Sequence, residues 1–96
     1  MKTDLSIIIP CYNEGPTFED SVLRIVSVLN KTRYKWEIIF VEDKSTDKTA
    51  DSVKNLTAEI KASRAIFHKT NQGRGRTVVD GLIASKGDIC GFLDID

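Results

Sequence analysis

The stretch "DLSIIIPCYNEGPTFEDSVLRIVSVLN", Asp4 to Asn30, carries two hydrophobic periods on either side of one polar turn. The first, a β-branched run closed by Pro10, is too short for a helix and reads as a buried strand. In the second, Pro16 suits a first helical position, and Phe18, Val22, Ile25 and Leu29 recur at helical spacing. A buried strand that feeds an amphipathic helix is the opening of a β-α unit.

The unit repeats along the chain. "WEIIFVED" (36–43) is a second buried strand. "STDKTADSVKNLTAEIKA" (45–62) follows as a helix, with Ser45 or Thr46 as N-cap, Asp47 in the first turn and Ala50, Val53, Leu56 and Ile60 as its apolar stripe. "RAIFHK" (64–69) is a short third strand. "NQGRGRTVVDGLIASKG" (71–87) reads as a loop and a helix with Val78, Leu82 and Ile83 inward and Gly87 past its end. "DICGFLDID" (88–96) is the fourth strand, apolar enough to expect burial on both faces. The expected fold is therefore α/β, a doubly wound, mainly parallel four-stranded sheet of order 3-2-1-4 with helices on both faces.

Composition narrows the function. Ninety-six residues suit one domain, here 1–96. With 14 Lys plus Arg against 14 Asp plus Glu, no global field favours nucleic acid or an anionic membrane. Neither "IIIP" nor "IIFV" approaches the roughly 20 residues of a membrane span, and Asp4 and Pro10 break up any signal-peptide core. The expected location is cytoplasmic, with a peripheral place on the membrane open to the full-length protein. Cys11 and Cys90 fall about four to five residues out of step on neighbouring parallel strands, too far apart for a disulfide, so two free thiols are expected.

The polar clusters "PCYNEG" (10–15), "EDKSTD" (42–47) and "DID" (94–96) follow strands one, two and four. In open α/β sheets ligands bind beyond the carboxyl ends of the strands where strand order reverses. Order 3-2-1-4 would gather Asn13, Glu14, Asp43, Asp94 and Asp96 on one rim. Tyr12 offers a flat face for a base, or packs locally while Asn13 and Glu14 cap the following helix. Glu42 and Asp43 must face opposite ways. An ionised carboxylate only accepts hydrogen bonds, which suits the ring N–H of uracil or the N–H and amino group of guanine. Asp94 and Asp96, two apart on a strand, would share a face and repel unless a cation sits between them; they are a solvated tail or half a metal site. Arg74 and Arg76 are the wrong sign for a helix amino end unless an anion binds there. His68 reads as a structural or exposed histidine.

Together "SIIIPCYNEG", "EIIFVEDKSTDKT", "NQGRGRTVVDGLIASKGD" and "FLDID" resemble the amino-terminal half of a family 2 glycosyltransferase with the GT-A fold, nearest to polyprenyl- or dolichyl-phosphate sugar synthases. The resemblance implies a hexosyltransferase donor half that binds a UDP- or GDP-sugar for transfer to a polyprenyl phosphate or saccharide. It implies that Pro10, Tyr12, Glu14 and Asp43 line the nucleoside pocket, and that Asp94 and Asp96 form an Asp-x-Asp motif holding Mg²⁺ or Mn²⁺. Val41, Arg74 and Asp94 complete the expected substrate-binding set. "EDKS" stands where the commoner form is Asp-Asp-Gly-Ser, and no catalytic base is assigned. The alternatives are a non-catalytic nucleotide-binding or receiver-like module, an oxidoreductase cofactor domain, and an inactive fragment. Missing glycines in "CYNEGP" speak against the cofactor domain, and acids after the second and fourth strands speak against the receiver. The open outer edge of strand four adds an expectation of self-association.

Overall fold

The computed structural model describes residues 2–95, so Asp96 lies outside the described residues. Its elements run β1 (Leu5–Cys11), α1 (Phe18–Asn30), β2 (Trp36–Glu42), α2 (Thr49–Glu59), β3 (Ser63–Phe67), α3 (Arg74–Ala84) and β4 (Ile89–Phe92). The four strands form one sheet in the order β3-β2-β1-β4, with every pair parallel, as the sequence pattern implies.

Strand alternation sorts the apolar side chains into two layers. Ile9, Cys11, Ile38 and Phe40 face α1 and α2, meeting Phe18, Val22, Val53 and Leu56; Phe18 and Phe40 pack edge to face with ring centroids 6.3 Å apart. Ile8, Ile39 and Val41 face the other way, against Ile66 and Ala84. Both faces of β1 and β2 are thus covered, which is why their sequences are continuous apolar runs.

The face of α3 differs from the expectation. Leu82 and Ile83 do not form its seat, being 42% and 74% exposed; Val78 is partly buried, and Thr77 and Gly81 are buried. The helix approaches the sheet through small residues, so closely that a Cβ on Gly81 would lie 2.7 Å from Ile8 Cγ1. Its carboxyl end is tied down by a buried polar knot. Lys86 N–H donates to Glu37 Oε2 at 2.8 Å, Gly87 N–H to Ser6 Oγ at 2.7 Å, and the Arg64 guanidinium bridges Glu37 and the Ala84 carbonyl. Burial works to raise the Glu37 carboxyl, but the hydrogen bonds from Ser6, Lys86 and Arg64 outweigh it and hold it below its ordinary value.

Three further expectations are corrected. Pro16 lies in the turn before α1, which starts at Phe18. Neither Ser45 nor Thr46 caps α2, which starts at Thr49; Asp47 instead accepts the Thr49 N–H at 2.8 Å. Finally β4 is largely exposed rather than buried on both faces, with Ile89 and Phe92 open to solvent. Helix α3 packs over β1 and β2 and barely reaches β4. The strand also ends at Phe92, so strand alternation no longer dictates where Asp94 points.

Gly81→Ala should lower stability by about 1–3 kcal/mol in urea unfolding, even though alanine is the better helix former. An unchanged or raised midpoint would mean that α3 does not rest on Ile8 at this distance.

Candidate functional site

The loops after β1 and β2 are stitched to each other before they meet any ligand. Asn13 stands at φ 48°, and its side-chain oxygen accepts the Thr46 N–H at 2.8 Å and the Asp47 N–H at 3.3 Å. In return Ser45 Oγ accepts the Asn13 N–H at 3.0 Å, and Thr49 Oγ1 accepts the Glu14 N–H at 2.9 Å. Asn13 therefore neither caps α1 nor faces the rim as a free ligand. Glu42 turns to the α1–α2 side, where its buried carboxylate accepts the N–H groups of Lys44 and Ser45 at 3.1 and 2.9 Å. Lys44 stands at φ 62°, the left-handed region in which glycine is the unstrained residue. This is the position at which the commoner motif carries glycine, and Glu42 ties down the strained turn.

Asp43, one residue on, turns to the α3 side. Asp43 is 3% exposed, and three protein donors meet its carboxylate: His68 Nδ1–H and the Gln72 N–H reach Oδ1 at 2.8 Å, and the Gly73 N–H reaches Oδ2 at 2.9 Å. Burial alone would raise this carboxyl; those bonds outweigh it and keep it below its usual range. His68 is buried as well, with Nε2 2.7 Å from Asp80 Oδ2 on α3. Burial disfavours its charge, but the two carboxylates outweigh burial and raise it above its ordinary value. When the ring is protonated, both of its nitrogens donate, one to each carboxylate. The exposed alternative for His68 is excluded.

Between these loops lies a cleft of about 340 Å³. Pro10 lines it from β1, Tyr12 and Glu14 from the loop after β1, Asp43 from the turn after β2, Gly73 from just before α3, Arg74 and Thr77 from α3, and Asp94 from the segment after β4. Six of the seven expected substrate-binding residues are thus gathered together. The seventh, Val41, is fully buried beneath α3 and does not line the cleft. Cys11 borders it as a buried thiol that desolvation pushes well up, so it is no nucleophile near neutrality.

The two misplaced arginines have found carboxylates. Arg74 grips Asp94 with two hydrogen bonds, Nε–H to Oδ1 at 3.0 Å and Nη2–H to Oδ2, while its guanidinium carbon lies 5.1 Å from the centre of the Phe92 ring. Arg76 pairs with Asp80 one turn on, at 2.8 Å. Of the expected metal pair, Asp94 is half-exposed on the cleft and Asp96 lies outside the described residues. Among the described residues, no cluster of three or more His, Cys, Asp or Glu forms a ready-made metal cage.

The contributions of His68 and Asp80 went unread in the sequence, because they depend on sheet register. Glu42 pairs with Phe67, so Asp43 and His68 are the next pair along two parallel strands.

Residues 6–96 match the family model described as Glycosyl transferase family 2. The dolichyl-phosphate beta-glucosyltransferase of Dictyostelium discoideum is 32% identical over 96% of this chain and 30% of its own length. The mannosyltransferase PcManGT from Pyrobaculum calidifontis, solved with GDP-Man and Mn²⁺, superposes with a TM-score of 0.81 at 23% identity, over 98% of this chain and 28% of that one. The S. aureus TarS fragment 1-349, solved with UDP-GlcNAc, gives 0.74 at 25% identity over 96% and 26%. The sheet is the GT-A arrangement that the sequence resemblance implies. The chain spans about a third of the length of the curated relatives it matches.

Two stability measurements follow from this geometry. Lys44→Gly relieves a left-handed residue and should stabilise by ~0.5–1 kcal/mol, once the extra freedom of the unfolded glycine is set against the relief; a loss in urea unfolding would contradict that. The His68 contribution has the opposite pH sense from that of its partners. A raised histidine stabilises fully below its ordinary value of about 6.5 and loses this as pH rises through the folded value. The lowered Asp43 and Asp80 stabilise above about 4 and lose this as pH falls through theirs. The stability advantage of wild type over His68→Asn should therefore be greatest between about pH 4 and 6.5 and shrink on both sides.

Proposed function

The chain belongs to glycosyltransferase family 2, and from that premise we propose that its cleft is the donor-binding half of the enzyme, holding a nucleotide diphosphate sugar. One observation carries the reading: an exposed aromatic face, an acceptor-only carboxylate, a guanidinium and a half-exposed carboxylate border a single cleft at the carboxyl ends of β1 and β2. Tyr12 stacks on the base and Asp43 accepts its ring N–H. Three of the roughly four acceptor positions on Asp43 already hold protein N–H groups. What is left satisfies uracil, which offers one N–H, better than guanine, which offers an N–H and an amino group side by side. We therefore favour a UDP-sugar over a GDP-sugar.

Arg74 opens α3, so its guanidinium and the helix amino end together suit the diphosphate. For that contact it must release Asp94, which is then free to ligate a divalent ion. Asp94 fits Mg²⁺ or Mn²⁺ as a hard oxygen donor on the cleft wall, since such ions take few protein carboxylates and fill their shell with phosphate oxygens and water. Asp96 is the second proposed ligand. When bound, the ion would offset the charge left on the nucleoside diphosphate as its bond to the anomeric carbon breaks. A polyprenyl phosphate acceptor, suggested by the name of the Dictyostelium relative, belongs to the same proposal, with a saccharide as the alternative. So do a cytoplasmic place beside the membrane and pairing of two copies through the open edge of β4.

Titration with UDP, GDP and ADP, in Mn²⁺ and in chelator, tests this reading. UDP should bind tightest and weaken at least about tenfold in chelator, and Asp94→Asn should remove the metal dependence. Asp43→Ala should cut the preference for UDP over ADP by about tenfold or more. Equal affinities for the three nucleotides would defeat the base assignment, and equal affinities with and without metal would defeat Asp94. Glu42 cannot serve as a neutral control, because its carboxylate holds the turn at Lys44.

A further inference from the structure

Behind the cleft runs a chain of charges of which the donor reading uses only the last, Asp43. Arg76 Nη2 lies 2.8 Å from Asp80 Oδ1, Asp80 Oδ2 lies 2.7 Å from His68 Nε2, and His68 Nδ1 lies 2.8 Å from Asp43 Oδ1. The His68 backbone N–H also donates to the Glu42 carbonyl at 2.8 Å, which locks the ring to the end of β2. The side chains of His68 and Asp43 are almost completely buried, whereas that of Asp80 keeps 18% exposure. The ring is therefore a strut between the end of β2 and the middle of α3, and Asp43 is the end of the strut that borders the cleft.

We infer that His68, braced by Asp80, is a positioning residue of the nucleotide site, which presents Asp43 to the base only while both ring nitrogens carry hydrogen. This rests on the donor-binding reading above. The groups facing the ring are Asp43 from the end of β2 and Asp80 from α3, with Arg76 behind Asp80 on the same helix. Both acids accept only, so a neutral ring would set a nitrogen lone pair against one of them at hydrogen-bond distance. If Asp80 swings out to water, α3 loses its tie to the strand ends. If Nδ1 loses the hydrogen, the Asp43 carboxylate keeps only Gln72 and Gly73, the two backbone donors of the loop leading to Arg74. In either case the base acceptor and the first turn of α3 lose the register that joins them across the cleft.

His68 is the chain's single histidine, so its ring signals in a proton NMR spectrum report the strut directly. The experiment uses the whole chain with diamagnetic Mg²⁺ and UDP-glucose, whose diphosphate does not titrate in this range. It follows the His68 titration by NMR and the affinity by calorimetry at the same pH values. Affinity should fall about tenfold from one pH unit below the ring's midpoint to one unit above it, as the competent fraction falls from about ten elevenths to one eleventh. Asp80→Asn should move both midpoints down together, and ADP-glucose should bind weakly throughout. A flat affinity for UDP-glucose across the titration of the ring overturns the positioning role and leaves the donor site standing. So does an Asp80→Asn midpoint that moves in the NMR but not in binding. No binding of UDP-glucose at any pH overturns both. Wild type alone decides between these if the variant fails to fold.

Discussion

Asp43 is an ionised carboxylate held almost out of water at the end of a central strand, and the surrounding loops are built to meet that charge. A buried carboxylate without donors would cost several kcal/mol. Here His68 and two backbone amides supply them, and each donor brings an element with it: His68 the end of β3, Gln72 and Gly73 the approach to α3. The positions of Arg74 and Thr77 along the cleft follow from that approach. The site is thus organised from its most desolvated charge outward, and the cleft lies on the side where the donors stop.

A second constraint acts on the other side of β2. The sequence "EDKS" departs from Asp-Asp-Gly-Ser at the residue forced into left-handed backbone, and the departure has a compensation. Glutamate is one methylene longer than aspartate and reaches both amides of the turn. Two adjacent acids therefore serve opposite faces: one holds a strained loop, and the other orders the loop that leads into α3. Their burial to a similar degree hides this difference, which only their hydrogen-bond partners reveal.

Strand alternation and apolar runs made the sheet, its order and the rim legible in the sequence, because a parallel sheet covered on both faces leaves strong local marks. The inward face of α3 was not legible. Hydropathy points to Leu82 and Ile83, whereas close packing against Ile8 selects Thr77 and Gly81, and steric proximity leaves no hydrophobic signal. Capping failed for a related reason: Ser45 and Thr46 have good cap chemistry, but Asn13 and its neighbours engage them from another loop. Six of the cleft residues could be named because each sits near or just past the carboxyl end of a strand, or at a helix start. Val41 was misplaced onto the cleft although its side chain belongs to the packed layer under α3. His68 and Asp80 needed the register between two strands, which no single segment contains.

The position of β4 gives the cleft unequal ends. β1 and β2 share a ladder of seven paired residues, while β4 joins β1, its most distant partner in sequence, through four. Closing that loop is entropically the most expensive pairing in the sheet, and the exposed side chains of Ile89 and Phe92 return little of the cost. Local opening, the transient loss of a few hydrogen bonds without global unfolding, is therefore expected at β4 and the segment after it that carries Asp94. The wall formed by Asp43 is buried and held by three protein donors, whereas the wall formed by Asp94 is half-exposed and, among the described residues, held by Arg74 alone. A ligand that spans the cleft would meet a preset surface at one end and would itself order the other.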